Sequence, residues 1–314
     1  MSPTWLPRIA LAALTVAAVA AAIPLVRYDS WLRALSATFV GDSRLLVTTR
    51  GPVEFLTLGD TTAGVPVLWL HGNPGGYDQL SRAVLARAEF GDGLHSIVPS
   101  RPGYLRTPLS SGATPEEQAH LFAALLDSLG IPRVAVVGVS GGGPSALQFA
   151  RLYPARTSTL TLVFAITSRT PPDPVGRRQR LMDAIGLDDW YTWRFSTRFA
   201  TIPDFDPADT AMVRSAEALL ASTVPRARRR AGDDNDQHQF DRPEGWPIDG
   251  ITAPTLILAG TRDITVPIAQ AEFAQAQIPG ARLVRVAGDH NAQLTHAREV
   301  WGTVRTFILE QAAR

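Results

Sequence analysis

Three residues that could together perform nucleophilic catalysis follow one another along the chain in the order Ser140, Asp263 and His290. A serine hydroxyl is a weak nucleophile near neutral pH, so it needs an adjacent imidazole to remove its proton. The imidazole in turn needs a carboxylate that fixes its tautomer and stabilises its cationic form. We therefore expect Ser140 to be the nucleophile, His290 the general base and Asp263 the acid that orients it.

Ser140 lies at a predicted strand-to-helix turn. The apolar run 134–137 follows Pro132 and is typical of a buried parallel strand, while residues 144–152 have the apolar spacing of a helix. Between them, Gly138 and Gly142 flank the serine in the pattern G-x-S-x-G. This pattern is typical of a nucleophile elbow, where a side chain at either glycine would obstruct the turn.

The other two members follow later strands. Asp263 comes in the turn after the predicted strand 255–259, and His290 comes in the loop after the last predicted strand, 282–287. The order serine, acid, histidine is the one that accompanies a nucleophile elbow. Asp289 is an alternative acid because of its proximity, and His296 is an alternative base, although its position in a helix favours a solvated or packed side chain.

A glycine-rich segment, residues 71–76 (His-Gly-Asn-Pro-Gly-Gly), follows the predicted strand 65–70. At the carboxyl end of a central strand, such a segment can point backbone N–H groups into the active-site crevice. We expect the N–H groups of Asn73 and Gly141 to form an oxyanion hole, and we refer to residues 71–76 as the oxyanion loop. His71 is interpreted as a structural residue that supports this loop.

These segments resemble a known family. The oxyanion loop, the Arg-Pro-Gly-Tyr loop at residues 101–104 and the elbow are similar to those of the α/β-hydrolase fold superfamily, and the resemblance extends over residues 44–313. The oxyanion loop is similar to the HGGPGG-type loop of proline iminopeptidase relatives, with Asn73 where those have glycine. Val139 stands where that subfamily usually has tryptophan. Because residue 140 is serine rather than aspartate, the epoxide hydrolase and haloalkane dehalogenase branches do not match. The resemblance implies an acid at Asp263.

The alternation of strands and helices predicts an α/β fold with a mostly parallel, doubly wound sheet. Residues 44–49 and 53–58 predict an antiparallel hairpin at a sheet edge. The segment of about residues 168–250 is too long for a simple crossover and predicts a helical lid, including a helix over 207–224. Residues 44–314 would thus form one hydrolase domain.

The N-terminal residues 1–27 predict a membrane or export segment. Residues 9–26 contain no charge and are flanked by Arg8 and Arg27. Their length suits an uncleaved transmembrane anchor, whereas the small residues 20–22 offer a site for cleavage of a signal peptide. A buried helix of a soluble protein is a third interpretation. We expect a membrane-anchored protein, with secretion as the alternative and residues 28–43 as a membrane-proximal helix or linker.

Composition excludes several classes of protein. The 314 residues have a formal net charge of +1 and only 19% charged residues, so no global field would recruit nucleic acid. The absence of cysteine excludes disulfides and thiolate metal sites. The six histidines have no metal-type spacing with carboxylates, and no G-x-G-x-x-G occurs. We expect no cofactor and no metal.

The chemistry favours a serine hydrolase that cleaves carboxylic esters of small molecules. The alternative is an aminopeptidase or amidase of the proline iminopeptidase type, and a non-catalytic binding protein is a third class. A peptidase would need acids near the substrate's α-amino group, and the candidates are Asp233, Asp234, Asp236 and Glu217. The basic run 226–230 and the acids that follow it otherwise predict a solvated, self-pairing loop. The sequence leaves the oligomeric state open.

Overall fold

The computed structural model describes residues 6–39, 43–170, 189–190 and 201–314. The chain divides into two compact units, Met1–Asp42 and Ser43–Arg314. Nearly all of the predicted first half of the lid, between residues 171 and 200, lies outside the described residues.

The second unit is built on an eight-stranded sheet, formed by the described residues in the order β1-β2-β4-β3-β5-β6-β7-β8. The pairs β1–β2 and β2–β4 are antiparallel, and all other neighbours are parallel. This confirms the mostly parallel sheet and the hairpin at its edge. The strands are β1 Arg44–Thr48, β2 Gly51–Gly59, β3 Val65–Leu70, β4 Leu94–Pro99, β5 Val134–Val139, β6 Thr157–Val163, β7 Thr255–Gly260 and β8 Arg282–Val286.

The sheet is covered by helices on both faces. In β3, Leu68 and Leu70 belong to one core cluster while Val67 and Trp69 belong to the other, because successive side chains of a strand point to opposite faces. Every residue of β5 is buried, which explains its uninterrupted apolar sequence. The helices of this unit that precede β6 are α2 Tyr77–Ala83, α3 Ala88–Gly91, α4 Pro115–Ser128 and α5 Gly143–Leu152; those that follow β7 are given below.

Residues 164–254, between β6 and β7, form the long insertion predicted from the sequence. Its described part contains α6 Thr210–Ala221 and α7 Arg230–Phe240. Three further helices follow β7: α8 Ile268–Gln277, α9 Ala292–Thr295 and α10 Ala297–Ala312.

The prediction of a solvated loop after the basic run is wrong. Residues 230–240 form helix α7, and two residues, Arg229 just before the helix and Asp236 within it, are only 1% and 2% exposed. The physical reason is that each finds a buried partner of opposite charge in the core, so that neither is left unpaired away from water.

The first unit contains a single described helix, α1 Leu6–Phe39, of 34 residues. The segment predicted as a helix or linker over residues 28–43 is therefore helical as far as Phe39. Within the parts of the chain that the structure describes, no helix combines the length and the apolar character needed to cross a membrane. The predicted transmembrane anchor is thus not supported.

Candidate active site

Ser140 occupies a sharp turn between β5 and α5. Its backbone φ is 48°, in the left-handed region that non-glycine residues rarely adopt. The flanking glycines are needed for close packing: a Cβ on Gly138 would lie 2.6 Å from that of Ala146, and a Cβ on Gly142 would lie 2.3 Å from the carbonyl oxygen of Leu70. The turn therefore requires glycine on both sides of the serine.

The three residues expected to act together are in contact. The Ser140 hydroxyl donates to His290 Nε2 at 3.1 Å, and His290 Nδ1 donates to Asp263 Oδ2 at 2.7 Å. The Asp263 side chain is fully buried, whereas 18% of that of His290 is exposed. Asp263 Oδ1 accepts the backbone N–H groups of Thr265 at 2.9 Å and Val266 at 2.8 Å. The carboxylate is thus held in one orientation, toward the imidazole.

The alternative acid and base lie outside this chain of hydrogen bonds. Asp289 Oδ1 accepts the N–H of Asn291 at 2.8 Å, within its own turn. The ring of His296 has its neighbour Thr295 as its partner, at 3.0 Å from Nδ1. A residue that sequence analysis missed, Phe164, presents its ring edge-on to His290, with centroids 6.1 Å apart. The geometry therefore favours Asp263 and His290 over both alternatives.

His71, the first residue of the oxyanion loop, is buried and supports the rest of the loop. Its Nε2 accepts the backbone N–H of Arg101 at 2.9 Å, and its Nδ1 donates to the carbonyl of Gly72 at 2.7 Å. Burial lowers the pKa of His71 well below its ordinary value, and the nearby Arg101 charge lowers it further. A neutral ring is required, because Nε2 must keep its lone pair to accept.

Gln79, at the start of α2, is a second support of the loop that sequence analysis missed. Its side-chain oxygen accepts the N–H of Gly72 at 2.8 Å, and its amide donates to the carbonyl of Pro74 at 3.0 Å. Nothing in the local sequence distinguishes this glutamine from a surface residue of a helix. The loop places Asn73 against Gly141: a Cβ on Gly141 would lie 2.5 Å from Asn73 Oδ1. The two predicted oxyanion-hole residues are therefore neighbours.

A cavity of about 200 Å³ opens beside Ser140 and His290. Among the described residues that line it, none is Asp, Glu, Lys or Arg. Helix α6 contributes Ser215, Leu219 and Thr223 to the wall. The described residues also contain no group of three or more His, Cys, Asp or Glu side chains that could hold a metal ion. Most of the wall is apolar, through Leu80, Ala83, Val84, Leu219, Leu294 and Ala297.

Two buried ion pairs join the α7 segment to the residues around the oxyanion loop, and sequence analysis missed both. Arg101 Nη1 donates to Asp236 Oδ1 at 2.8 Å, and Tyr104 donates its hydroxyl to Asp236 Oδ2 at 2.6 Å. Arg229 Nη2 donates to Asp78 Oδ2 at 2.7 Å. Burial alone would lower the pKa of Arg101, but the Asp236 carboxylate reverses this and raises it, so Arg101 stays charged.

Comparison with known proteins assigns this fold and site to a family. A family model described as alpha/beta hydrolase fold matches residues 65–297. A 2-hydroxy-6-oxononadienedioate/2-hydroxy-6-oxononatrienedioate hydrolase of Cupriavidus pinatubonensis is 32% identical over 287 residues, which cover 86% of this chain and 96% of its own. Hydrolase YcgS of Bacillus subtilis is 29% identical over 254 residues, covering 74% and 86%.

A solved structure agrees with these relatives. The alpha/beta hydrolase fold protein from Nakamurella multipartita has 36% sequence identity and a TM-score of 0.68, over 86% of this chain and 98% of its own. The chain belongs to the alpha/beta hydrolase fold family. It is a hydrolase.

Proposed function

We propose that the protein is a serine hydrolase that cleaves carboxylic esters through an acyl-enzyme on Ser140. The observation on which this depends is the continuous chain of hydrogen bonds from Ser140 through His290 to Asp263, beside a cavity whose described lining residues include no Asp, Glu, Lys or Arg. A nucleophile, a base and an orienting acid at hydrogen-bonding distances are the arrangement that acyl transfer requires.

In the first half of the reaction, the Ser140 oxygen attacks the ester carbonyl carbon while its proton moves to His290 Nε2. The Asp263 carboxylate stabilises the imidazolium that results. The carbonyl oxygen becomes an oxyanion, which accepts hydrogen bonds from the N–H groups of Asn73 and Gly141. Each well-aimed donor contributes about 3–4 kcal/mol to the transition state. The C–O bond then breaks, and His290 returns the proton to the leaving alkoxide.

In the second half, a water molecule replaces the alcohol. His290 Nε2 removes a proton from this water as it attacks the acyl carbon, and a second oxyanion forms in the same hole. When that intermediate collapses, the ester bond to Ser140 breaks and His290 reprotonates the serine oxygen. The products are the carboxylic acid and the free enzyme, so that no cofactor or metal is needed.

The environment of the acids in the insertion supports ester over aminopeptidase activity. An α-amino group would need an available carboxylate in a partly dry site. Asp233 is paired with Arg226 at 2.9 Å, and Asp236 is paired with Arg101. The other two candidates, Asp234 and Glu217, are exposed, and none of these acids is among the described residues that line the cavity.

The residues that line the cavity also argue against an acidic substrate. The relative from Cupriavidus pinatubonensis is named for a dioate, which is doubly negative when ionised. A dianion in such a site needs a cationic partner, and the described lining residues include no Lys or Arg. We therefore propose uncharged acyl groups, with part of the insertion acting as a lid, since α6 supplies Leu219 to the wall.

The test is a panel of p-nitrophenyl esters of increasing acyl length, compared with alanyl and prolyl anilides. We expect ester cleavage that rises along the short members, because each buried methylene contributes up to about 0.8 kcal/mol. Efficient anilide cleavage would support the peptidase instead. A fluorophosphonate probe should label the wild type and not Ser140→Ala. If it labels neither, the result would support a non-catalytic binding protein.

The location of the protein remains a prediction from residues 1–27. Sequencing the N-terminus of the purified chain tests it directly. A mature chain that begins near Ile23 would support a cleaved signal and secretion, whereas an intact N-terminus would exclude cleavage.

A further inference from the structure

Helix α7 lies with one face toward the oxyanion loop and the elbow. Four residues at or within this helix, at positions 229, 233, 236 and 240, follow the i, i+4, i+7, i+11 spacing of one helical face. Arg229 donates to the carbonyl of Gly75 at 2.5 Å, in addition to its ion pair with Asp78. The face therefore contacts the loop directly.

Two positions of this face, Arg229 and Asp236, are held by buried ion pairs. Asp236 pairs with Arg101, whose side-chain Nε also donates to the carbonyl of His71 at 2.9 Å. Arg229 pairs with Asp78. All four side chains of these pairs are no more than 3% exposed. Breaking either pair would leave an uncompensated buried charge and is therefore costly. The two pairs thus hold the helix in one position against the loop.

Asp233 lies between these two anchors and contacts the loop at its central residue. Asn73 Nδ2 donates to Asp233 Oδ1 at 3.2 Å. Because a carboxylate only accepts, the amide nitrogen must face Asp233 and the amide oxygen must face the other way, toward Gly141. There a Cβ on Gly141 would lie 2.5 Å from Asn73 Oδ1 and 3.0 Å from Phe240 Cζ.

A bare carboxylate so close to a developing oxyanion would oppose the reaction. Arg226 removes this difficulty, because its Nη2 donates to Asp233 Oδ2 at 2.9 Å while Oδ1 accepts from Asn73. The ion pair is largely buried, with 11% and 18% of the two side chains exposed. The Arg226 cation therefore compensates the charge of Asp233, whose Oδ1 still accepts the hydrogen bond from the Asn73 amide.

From these contacts we infer that Asp233 is a positioning residue for the oxyanion hole: it fixes the side chain of Asn73, and thereby the two backbone N–H groups of Asn73 and Gly141. This inference rests on the proposed ester hydrolysis for the role of those N–H groups. It assigns to a charged residue of the insertion a function in the acyl-transfer step that neither the motifs nor the family resemblance indicates.

The test compares Asp233→Ala with Asp234→Ala, an exposed acid at the next position, as the matched control. Both are measured for ester turnover and for the rate of fluorophosphonate labelling at Ser140. In this labelling reaction, the phosphoryl oxygen of the probe occupies the oxyanion hole. We expect Asp233→Ala to lose about tenfold in kcat and in labelling rate, with KM nearly unchanged. The reason is that the backbone N–H donors of Asn73 and Gly141 remain, and only their orientation becomes less fixed. Asp234→Ala should match the wild type.

Three further variants separate positioning from folding. Asn73→Ala removes the other side of the same contact, so it should lose as much as Asp233→Ala, and the double variant should lose little more. Asp233→Asn keeps an acceptor and should recover most of the rate. The final extent of labelling counts folded active sites, while its rate measures positioning.

The outcomes distinguish this inference from the proposed function. If the wild type is labelled but cleaves no ester, the proposed substrate class fails, and the labelling rates still test Asp233. If Asp233→Ala is labelled as fast as Asp234→Ala, or if its loss adds fully to that of Asn73→Ala, the positioning role is overturned. A wild type that is not labelled at all would overturn both.

Discussion

Replacing Asp263 with asparagine tests the roles assigned to all three residues of the site. Asp263 Oδ1 accepts two backbone N–H groups, from Thr265 and Val266, while Oδ2 accepts from His290 Nδ1. In Asp263→Asn the amide oxygen must take the first position, because two N–H donors already point there. The NH2 group then faces His290, and Nδ1 must become an acceptor.

The consequence is a change of imidazole tautomer with little change in geometry. With Nδ1 unprotonated, Nε2 carries the proton and can no longer accept that of Ser140, which lies 3.1 Å away. The loss expected for this wrong tautomer is about 10⁴-fold in kcat. That factor corresponds to roughly 5.5 kcal/mol of transition-state stabilisation. Folding should persist, since the two backbone hydrogen bonds to residue 263 are kept.

The assay is turnover of a short p-nitrophenyl ester, with the rate of fluorophosphonate labelling as a second measure. Asp289→Asn is the matched control, because Asp289 is the neighbouring carboxylate and, among the described residues, its side chain bonds within its own turn. It should retain near wild-type turnover. Activity of Asp263→Asn within tenfold of the wild type, or a large loss in Asp289→Asn, would refute the assignment of the acid.

Three other variants test the surroundings of the site. The lowered pKa of His71 means that the unfolded chain takes up its proton first, so the free energy of unfolding should fall as pH drops below about 6.5. In urea unfolding between pH 7.5 and 5.5, this dependence should be weaker in His71→Gln than in the control His238→Gln, which replaces an exposed histidine. Ala83→Leu narrows the cavity, so the longest acyl chain that is cleaved in the p-nitrophenyl ester series should become shorter. Turnover of the acetyl ester should change little. Arg229→Met leaves a buried carboxylate unpaired and should cost about 3–5 kcal/mol in unfolding free energy, whereas Arg285→Ala, in an exposed pair, should cost at most about 1 kcal/mol.

The parts of the fold that could be predicted are those that depend on residues close together in the sequence. The apolar run of β5, its flanking glycines and the helix that follows lie within twenty residues of one another, so the elbow at Ser140 follows from local rules. Asp263 and His290 could be placed because each follows a strand, and the carboxyl ends of parallel strands meet at one edge of a sheet.

What the sequence could not indicate depends on partners distant in the chain. Arg229 and Asp236 stand in a polar, highly charged segment, and such a segment is usually solvated. Their partners, Asp78 and Arg101, are more than 130 residues away, and only the folded chain brings them together. Gln79 is missed for the same reason, since its role is set by the loop below it rather than by its neighbours in the helix.

Whether the substrate is an ester or a peptide depends on the arginines that pair with Asp233 and Asp236 in the folded chain. Asp233 and Asp236 are candidates for holding an α-amino group only while their surroundings are unknown. In the folded chain, each accepts from an arginine, and such a carboxylate can bind a substrate ammonium only by releasing that arginine. For Asp236 the released charge would be a buried guanidinium without a partner, which is far more costly than one ammonium contact could offset. Asp233 therefore positions the residues that stabilise the oxyanion, and the described lining of the cavity, which contains no Asp, Glu, Lys or Arg, selects the acyl group.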